Sequence, residues 1–290
     1  PPGESIDDLR YEDYQPPLYY YAALPAYAVG GPDTHGRLVA IRWFGAFLGV
    51  IAASLSWCVA RAAAPTSPDV ALACAAFVGF LPMRQATASS ANNDALAHVL
   101  VALALLLSLR YAGRRLSERR FAALGGLTAA AVVLTKATAY PVLAVMVASA
   151  AARRLADGRR RDHAGRSLAA AAGMLLPPAI AAAAWFGRNV AVYGRGDFLA
   201  ARAHERIVVG QPGTADWIAT HGFGPWLERF AAFTFQSFWG VFGWLGVFLD
   251  ARIYLLLFVV SLIAVAGAAG YLARLLARRD RRAPTERLAA

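Results

Sequence analysis

Four groups of polar residues in this chain carry more chemistry than an apolar sequence needs in order to fold. The first is YEDYQPPLYYY at residues 11–21, where Glu12, Asp13, Tyr14 and Gln15 precede Pro16–Pro17, Leu18 and three consecutive tyrosines. Each proline fixes φ and removes an N–H donor, so the segment reads as stiff and extended. Tyrosine favours the membrane–water boundary, ring in the apolar region and hydroxyl in water. An acidic loop stiffened in this way and pressed onto a membrane suits an active site. An interfacial aromatic anchor with incidental acids accounts for the same residues.

The second group is SSANNDA at 89–95. Asn93 and Asp94 open an apolar run, and His98 lies four residues on, on the same helix face. Ionisable groups inside a membrane are costly and face a cavity or a partner. Helix capping and a favourable dipole are the alternative account of Asn92, Asn93 and Asp94. The third is Lys136, alone between LTAAAVVLT and ATAYPVLAVM. It can snorkel to the interface or hold a phosphate as a point charge. The shortness of both flanking segments favours the phosphate. The fourth is Trp185, Arg188, Asn189 and Tyr193. Arg188 calls for an anion, a lipid head group or a substrate phosphate. Ordinary anchoring, with Trp185 and Tyr193 in an aromatic belt, is the alternative.

These groups must be positioned by a membrane scaffold. The 290 residues are 58% hydrophobic and only 16% charged, against roughly 25% charged in soluble domains, and mean hydropathy is +0.45. Seven segments are read, at about 38–62, 70–84, 94–110, 120–135, 139–155, 168–188 and 253–274. A full span needs roughly 20 residues, so the second, fourth and fifth read as tilted, re-entrant or broken. Pro82, Pro141 and Pro177–Pro178 mark kinks or helix starts. Cys58 and Cys74 lie in apolar runs and read as small core hydrophobes.

The net charge of +11 is concentrated in three arginine clusters, 110–120, 153–166 and 274–282. Basic clusters between spans follow the positive-inside rule, which removes the case for nucleic-acid binding. With the N-terminal segment outside, all three clusters fall on the cytoplasmic side and all four polar groups fall on the outer face. The chain then divides into an outer acidic and aromatic loop (1–37), a core of six segments (38–193), an outer loop with an interfacial aromatic helix (194–252), and a last helix with a basic tail (253–290). In the long loop, Phe235, Phe238, Trp239 and Phe242 are expected on one helical face. Its Asp197, His204, Glu205, Asp216 and His221 match no metal signature, and no nucleotide-binding or hydrolase motif appears. Gly125–Gly126 suits close helix packing.

YEDYQPPLYY, SANNDALA, GLTAAAVVLTKAT, WFGRNVAVYG and SFWGVFGWL, in that order, resemble polyprenyl-phosphate-sugar-dependent membrane glycosyltransferases of the C-type fold. The resemblance is to family-39-like bacterial enzymes related to protein O-mannosyltransferases, and it runs over nearly the whole chain. It implies an all-α polytopic bundle of about seven membrane segments in the plasma (inner) membrane, with its active face extracytoplasmic. It implies inverting transfer of a sugar from a polyprenyl-phosphate donor to an acceptor hydroxyl on a glycolipid, polysaccharide or protein. A loop carboxylate, Glu12 or Asp13, would act as base. Lys136 and Arg188 would stabilise the leaving phosphate, with Tyr193 supporting it. Tyr14, Gln15, Asn93, Asp94 and Asn189 would shape the donor or sugar pocket. No cofactor is implied, and a divalent metal stays open. The family places a membrane helix and its principal acid before this loop. The chain opens at Pro1 with no such helix, so it is expected to be a fragment, with Asp7, Asp8, Glu12 and Asp13 as the acids in hand. Two rivals stand beside this reading: a transporter or flippase of an anionic or lipid-linked substrate, and an inactive membrane partner.

Overall fold

The computed structural model describes residues 14–157, 164–207, 213–243 and 245–287. They form two compact units, one reaching Thr220 and one beginning at His221. The first contains α1 (Leu18–Val29), α2 (Thr34–Ala63), α3 (Pro68–Phe80), α4 (Pro82–Ala88), α5 (Asp94–Ala112), α6 (Glu118–Val133), α7 (Pro141–Asp157), α8 (Ala164–Tyr193) and α9 (Ala201–Ile207), with α10 (Thr214–His221) at the boundary. The all-α polytopic reading holds, and the count of seven is not confirmed. Among the described residues, five helical stretches are long and apolar enough to cross a membrane: Thr34–Ala63, Asp94–Ala112, Ala137–Ala156, Ala172–Tyr193 and Ala251–Tyr271. The bent pair α3–α4 makes a sixth if it counts as one span. The segment expected at 120–135 is α6, which has 16 residues. It stops short because the backbone turns extended at Lys136.

The helix starts follow local chemistry. The Asp33 carboxylate accepts from Gly36 N at 2.9 Å and caps α2. Ser117 does the same for α6. The region read as an extended loop, 1–37, contains α1. Pro17 sits at its N-cap, where a missing N–H costs nothing, so the proline pair starts a helix instead of preventing one. Pro177 and Pro178 lie within α8.

The bend of 60° between α3 and α4 falls at Leu81–Pro82. Arg84 holds it. This residue is buried, and its guanidinium donates to Val78 O and to Gly49 O of α2, both at 2.9 Å. Val78 O lies in the last turn of α3, where the helix breaks and a carbonyl needs such a partner because lipid supplies none.

The main core joins α5, α6 and α7 through Leu100, Leu107, Tyr111, Phe121, Val132 and Met146. A smaller one joins α1, α2 and α5 through Tyr19, Ala23, Leu48 and Ala95. Helices α6 and α8 meet at Gly126. A Cβ there would lie 2.4 Å from Gly173 O and 3.3 Å from Met174 Cα, both backbone atoms that cannot swing aside. At Gly125 the nearest atom is the Met146 methyl, at 3.3 Å, which can yield. Gly126→Ala is therefore expected to destabilise the protein by about 1–3 kcal/mol, the usual range for overpacking, and Gly125→Ala by much less. Thermal unfolding of the two variants in one detergent checks the contrast; equal shifts would refute it.

In the second unit, α11 (Phe223–Trp239) leads into a hairpin of β1 (Val241–Phe242) and β2 (Val247–Phe248), paired antiparallel, and then α12 (Ala251–Arg287). The Tyr254 hydroxyl donates to Gly240 O at 2.7 Å and accepts from Leu249 N at 3.0 Å, tying α12 to both ends of the hairpin. Phe242, expected on the aromatic helical face, lies in β1, because α11 ends at Trp239 and Gly240 continues in extended backbone.

Candidate functional site

The site begins with the break after α6. A helix leaves its last carbonyls without internal partners, and here three in a row are met from three different places. Val133 O accepts from the Tyr140 hydroxyl at 3.1 Å. Leu134 O accepts from Leu18 N at 2.8 Å, so the first turn of α1 sits on the end of α6. Thr135 O accepts from Asn93 Nδ2 at 3.4 Å. Thr135 is fully buried, and its hydroxyl donates back to Ala131 O at 2.7 Å. Lys136 follows, with its position fixed by this pinned backbone.

The Lys136 Nζ lies 2.7 Å from Asp94 Oδ1, and both side chains are partly exposed. The capping reading of residues 92–94 divides accordingly. The Asn92 side chain accepts from Asp94 N at 2.9 Å, a local turn. Asn93 makes no cap. It is buried, and its amide also donates to Gln15 Oε1 at 3.2 Å. His98, one turn deeper than Asp94, has its Nδ1 buried without a hydrogen-bond partner.

Gln15 and Tyr14 connect this cluster to a second one. The Tyr14 carbonyl accepts from Trp185 Nε1 at 3.3 Å. Its hydroxyl lies 3.0 Å from Nδ1 of His204, with the two rings edge to face. One turn beyond Trp185, Arg188 Nη1 donates to Asn189 Oδ1 at 3.0 Å and to the Tyr193 hydroxyl at 3.2 Å. The guanidinium carbon stands 5.1 Å from the Trp185 ring centre and 5.4 Å from that of Tyr193. Asn189 is buried and donates to Phe198 O at 3.0 Å.

Gln15 thus bonds to Asn93, whose chain neighbour Asp94 pairs with Lys136, while Tyr14 bonds to Trp185, whose ring lies beside the Arg188, Asn189 and Tyr193 cluster. The two acids expected to act as base, Glu12 and Asp13, lie outside the described residues. Of the tyrosine triplet, Tyr20 and Tyr21 are exposed, whereas Tyr19 is a core residue against Leu48 and Ala95. Burial pushes the Tyr19 hydroxyl above its ordinary pKa, with the backbone of Asn92 acting the other way. Asp197 is structural: its carboxylate accepts from Arg202 N and Ala203 N and caps α9. Among the described residues, no group of three or more His, Cys, Asp or Glu side chains is arranged to hold a metal ion.

Residues 5–283 match the family of predicted membrane proteins designated DUF2142. The chain belongs to that family. No curated protein and no solved structure matches it. The DUF2142 match covers both polar groups and all five long apolar helices, and with them it makes this chain a multi-pass membrane protein. The family description names no reaction, so the chemistry rests on the residues themselves.

Thr135 and His204 escaped assignment from sequence. Thr135 contributes through its backbone, which carries no residue signature. His204 meets Tyr14 across 190 positions, and nothing local marks that pairing. Asn93 has the clearest structural consequence in this DUF2142 chain. Its amide serves two acceptors, Gln15 Oε1 and Thr135 O. Asn93→Ala is expected to lower stability by about 1–3 kcal/mol, the cost of a buried acceptor left unpaired. Asn93→Asp should be at least as harmful, because a carboxylate would face two oxygens. Thermal unfolding in detergent reads both, and a benign Asn93→Asp would remove this account.

Proposed function

We propose that this chain is, or is part of, a glycosyltransferase that moves a sugar from a polyprenyl-phosphate donor to an acceptor hydroxyl at the outer face of the membrane, with inversion. The observation that carries the reading is that the segment following Glu12 and Asp13 bonds on one side to Asn93, next to the Asp94 that pairs with Lys136, and on the other to Trp185, whose ring lies beside Arg188. A phosphate leaving group needs positive charge and oriented donors more than it needs a proton. Lys136 would meet it as a point charge, and Arg188 as a planar, permanently charged fork. Asn93 and Gln15 would hold the donor side of the pocket. A carboxylate of the acidic loop, Glu12 or Asp13, would take the acceptor proton. The resemblance of five ordered motifs to membrane glycosyltransferases supports the same reading.

One observation favours a transporter instead. Asp94 and His98 place two ionisable groups one turn apart along α5, and His98 Nδ1 is buried without a partner. Ionisable residues within a span often mark an ion or proton path. Full-length protein in proteoliposomes separates the two readings. Sugar transfer from a radiolabelled polyprenyl-phosphate donor that falls in Glu12→Ala, Asp13→Ala, Lys136→Ala and Arg188→Ala supports the enzyme. Undiminished transfer in all four would sink the site assignment. Substrate flux that depends on His98, without transfer, would support the transporter.

A further inference from the structure

At the far end of α5 from Asp94 lies a second site of a different kind. Sixteen residues of helix separate Asp94 from Arg110, about 24 Å at the helical rise. There a pocket of about 500 Å³ is lined by Trp57, Cys58, Arg61, Pro65, Arg110 and Arg115, among others. Its lining carries three guanidinium groups and no carboxylate. Among the described residues, the side chains of these three arginines have no ion pair and no hydrogen bond.

Arg61 is half-buried and Arg110 and Arg115 are exposed, and the backbone that carries them is fixed. Arg115 follows a tight reversal in which Arg114 has a φ of 60°, and Arg115 N donates back to Arg110 O at 2.8 Å. That bond returns Arg115 to the end of α5. A fourth arginine, Arg153 of α7, locks the reversal from behind. Its Nη1 donates to Tyr111 O at 2.8 Å and Leu116 O at 2.9 Å. Its guanidinium lies 4.3 Å from the centre of the Tyr111 ring, which stacks on Phe121 at 4.1 Å. These contacts fix the turn that presents Arg110 and Arg115, while Arg61 comes from the last turn of α2.

We infer that this pocket binds a phosphate group, and that the phosphate belongs to the head group of an anionic phospholipid. Guanidinium groups bind phosphate in a forked geometry. Basic pockets between spanning helices suit lipid head groups. The surroundings favour a lipid over a soluble ion. Trp57 and Cys58 belong to the apolar body of a spanning helix, and a tryptophan there suits the lipid–water boundary. The site lies at the opposite end of α5 from the proposed transfer site and does not depend on that reading.

Native mass spectrometry of the full chain in detergent tests it, with phosphatidylglycerol, phosphatidylcholine and inorganic phosphate as probes. The wild type should retain phosphatidylglycerol in preference to phosphatidylcholine. Arg61→Gln/Arg110→Gln/Arg115→Gln should bind it about a hundredfold more weakly, given the usual contribution of each basic residue at a membrane surface. Arg119→Gln/Arg120→Gln removes charge from the same end of the molecule outside the pocket, and should bind as the wild type does. Equal losses in both variants would reduce the effect to general surface charge and overturn the site. Binding of phosphatidylglycerol and phosphatidylcholine alike would also overturn it. Inorganic phosphate that binds through the three arginines where phosphatidylglycerol does not would overturn the lipid assignment. A triple variant that unfolds is replaced by Arg110→Gln alone, for which a clear loss is expected and wild-type binding counts against the site.

Discussion

Lys136→Met is expected to lower sugar transfer by roughly 10²–10³-fold, the loss typical when one preorganised donor to a developing anion is removed. The ion pair with Asp94 complicates that result and also supplies its control. With Lys136 gone, Asp94 is left partly buried without its cation, and activity could fall merely because the carboxylate disturbs the site. Lys136→Met/Asp94→Asn removes both charges. If Lys136 only neutralises Asp94, the double variant recovers most of the lost activity. If Lys136 meets the phosphate, the double variant stays as inactive as Lys136→Met, and Asp94→Asn alone retains activity within about tenfold. The cycle is informative because contacting residues are where additivity fails. Partly exposed ion pairs contribute little to stability, so all three variants should unfold close to the wild type. A large drop in unfolding temperature would show that the pair holds the fold together, and would remove the catalytic inference.

Much of the scaffold is legible in the sequence, because a membrane leaves few options. Runs of apolar residues longer than about 18 must be helices that satisfy their own backbone, and α2, α5, α8 and α12 stand out on that ground. Breaks are less legible. Pro82 marks a bend, but nothing in the sequence says that Arg84 turns inward to hold it. Pro16–Pro17 misleads: a proline pair can extend a chain or start a helix, and the choice was made by Leu18 N finding Leu134 O, 116 residues away. Hydropathy marks 120–135 as a short membrane segment, tilted, re-entrant or broken, but not that its end is held by bonds to the carbonyls of Val133, Leu134 and Thr135.

The candidate site residues stand out in the sequence for a related reason. In a chain this apolar, Asn93, Asp94, Lys136 and Arg188 are conspicuous because each is costly to place near lipid. Their partners were not legible. Asn93 reaches Gln15 across 78 positions, and Tyr14 meets Trp185 across 171. Such pairings are properties of the packed helices and leave no local signal. Sequence could mark which residues need an explanation, but only the fold could say that Asp94 answers Lys136 and that Asp197, an acid of similar appearance, caps α9.

Arg188→Lys tests the other half of the proposed phosphate site, and is expected to lower transfer about as much as Arg188→Ala, by roughly a hundredfold. Charge alone would make the lysine variant mild. The geometry argues otherwise. One nitrogen of the guanidinium serves both Asn189 and Tyr193, while its plane lies beside the rings of Trp185 and Tyr193. An ammonium group keeps the charge and loses the fork and the stacking. The loss should fall mainly on kcat, because the interaction strengthens as charge develops on the leaving phosphate. Tyr193→Phe removes one acceptor and keeps the ring, so it should cost only about 1 kcal/mol, or roughly fivefold. If Arg188 instead serves to order buried Asn189 and its bond to Phe198 O, Arg188→Lys will lower the unfolding temperature and leave kcat of the folded fraction near that of the wild type. A lysine variant with full kcat would therefore move Arg188 from the reaction to the scaffold, and leave Lys136 as the cation that must answer for the phosphate.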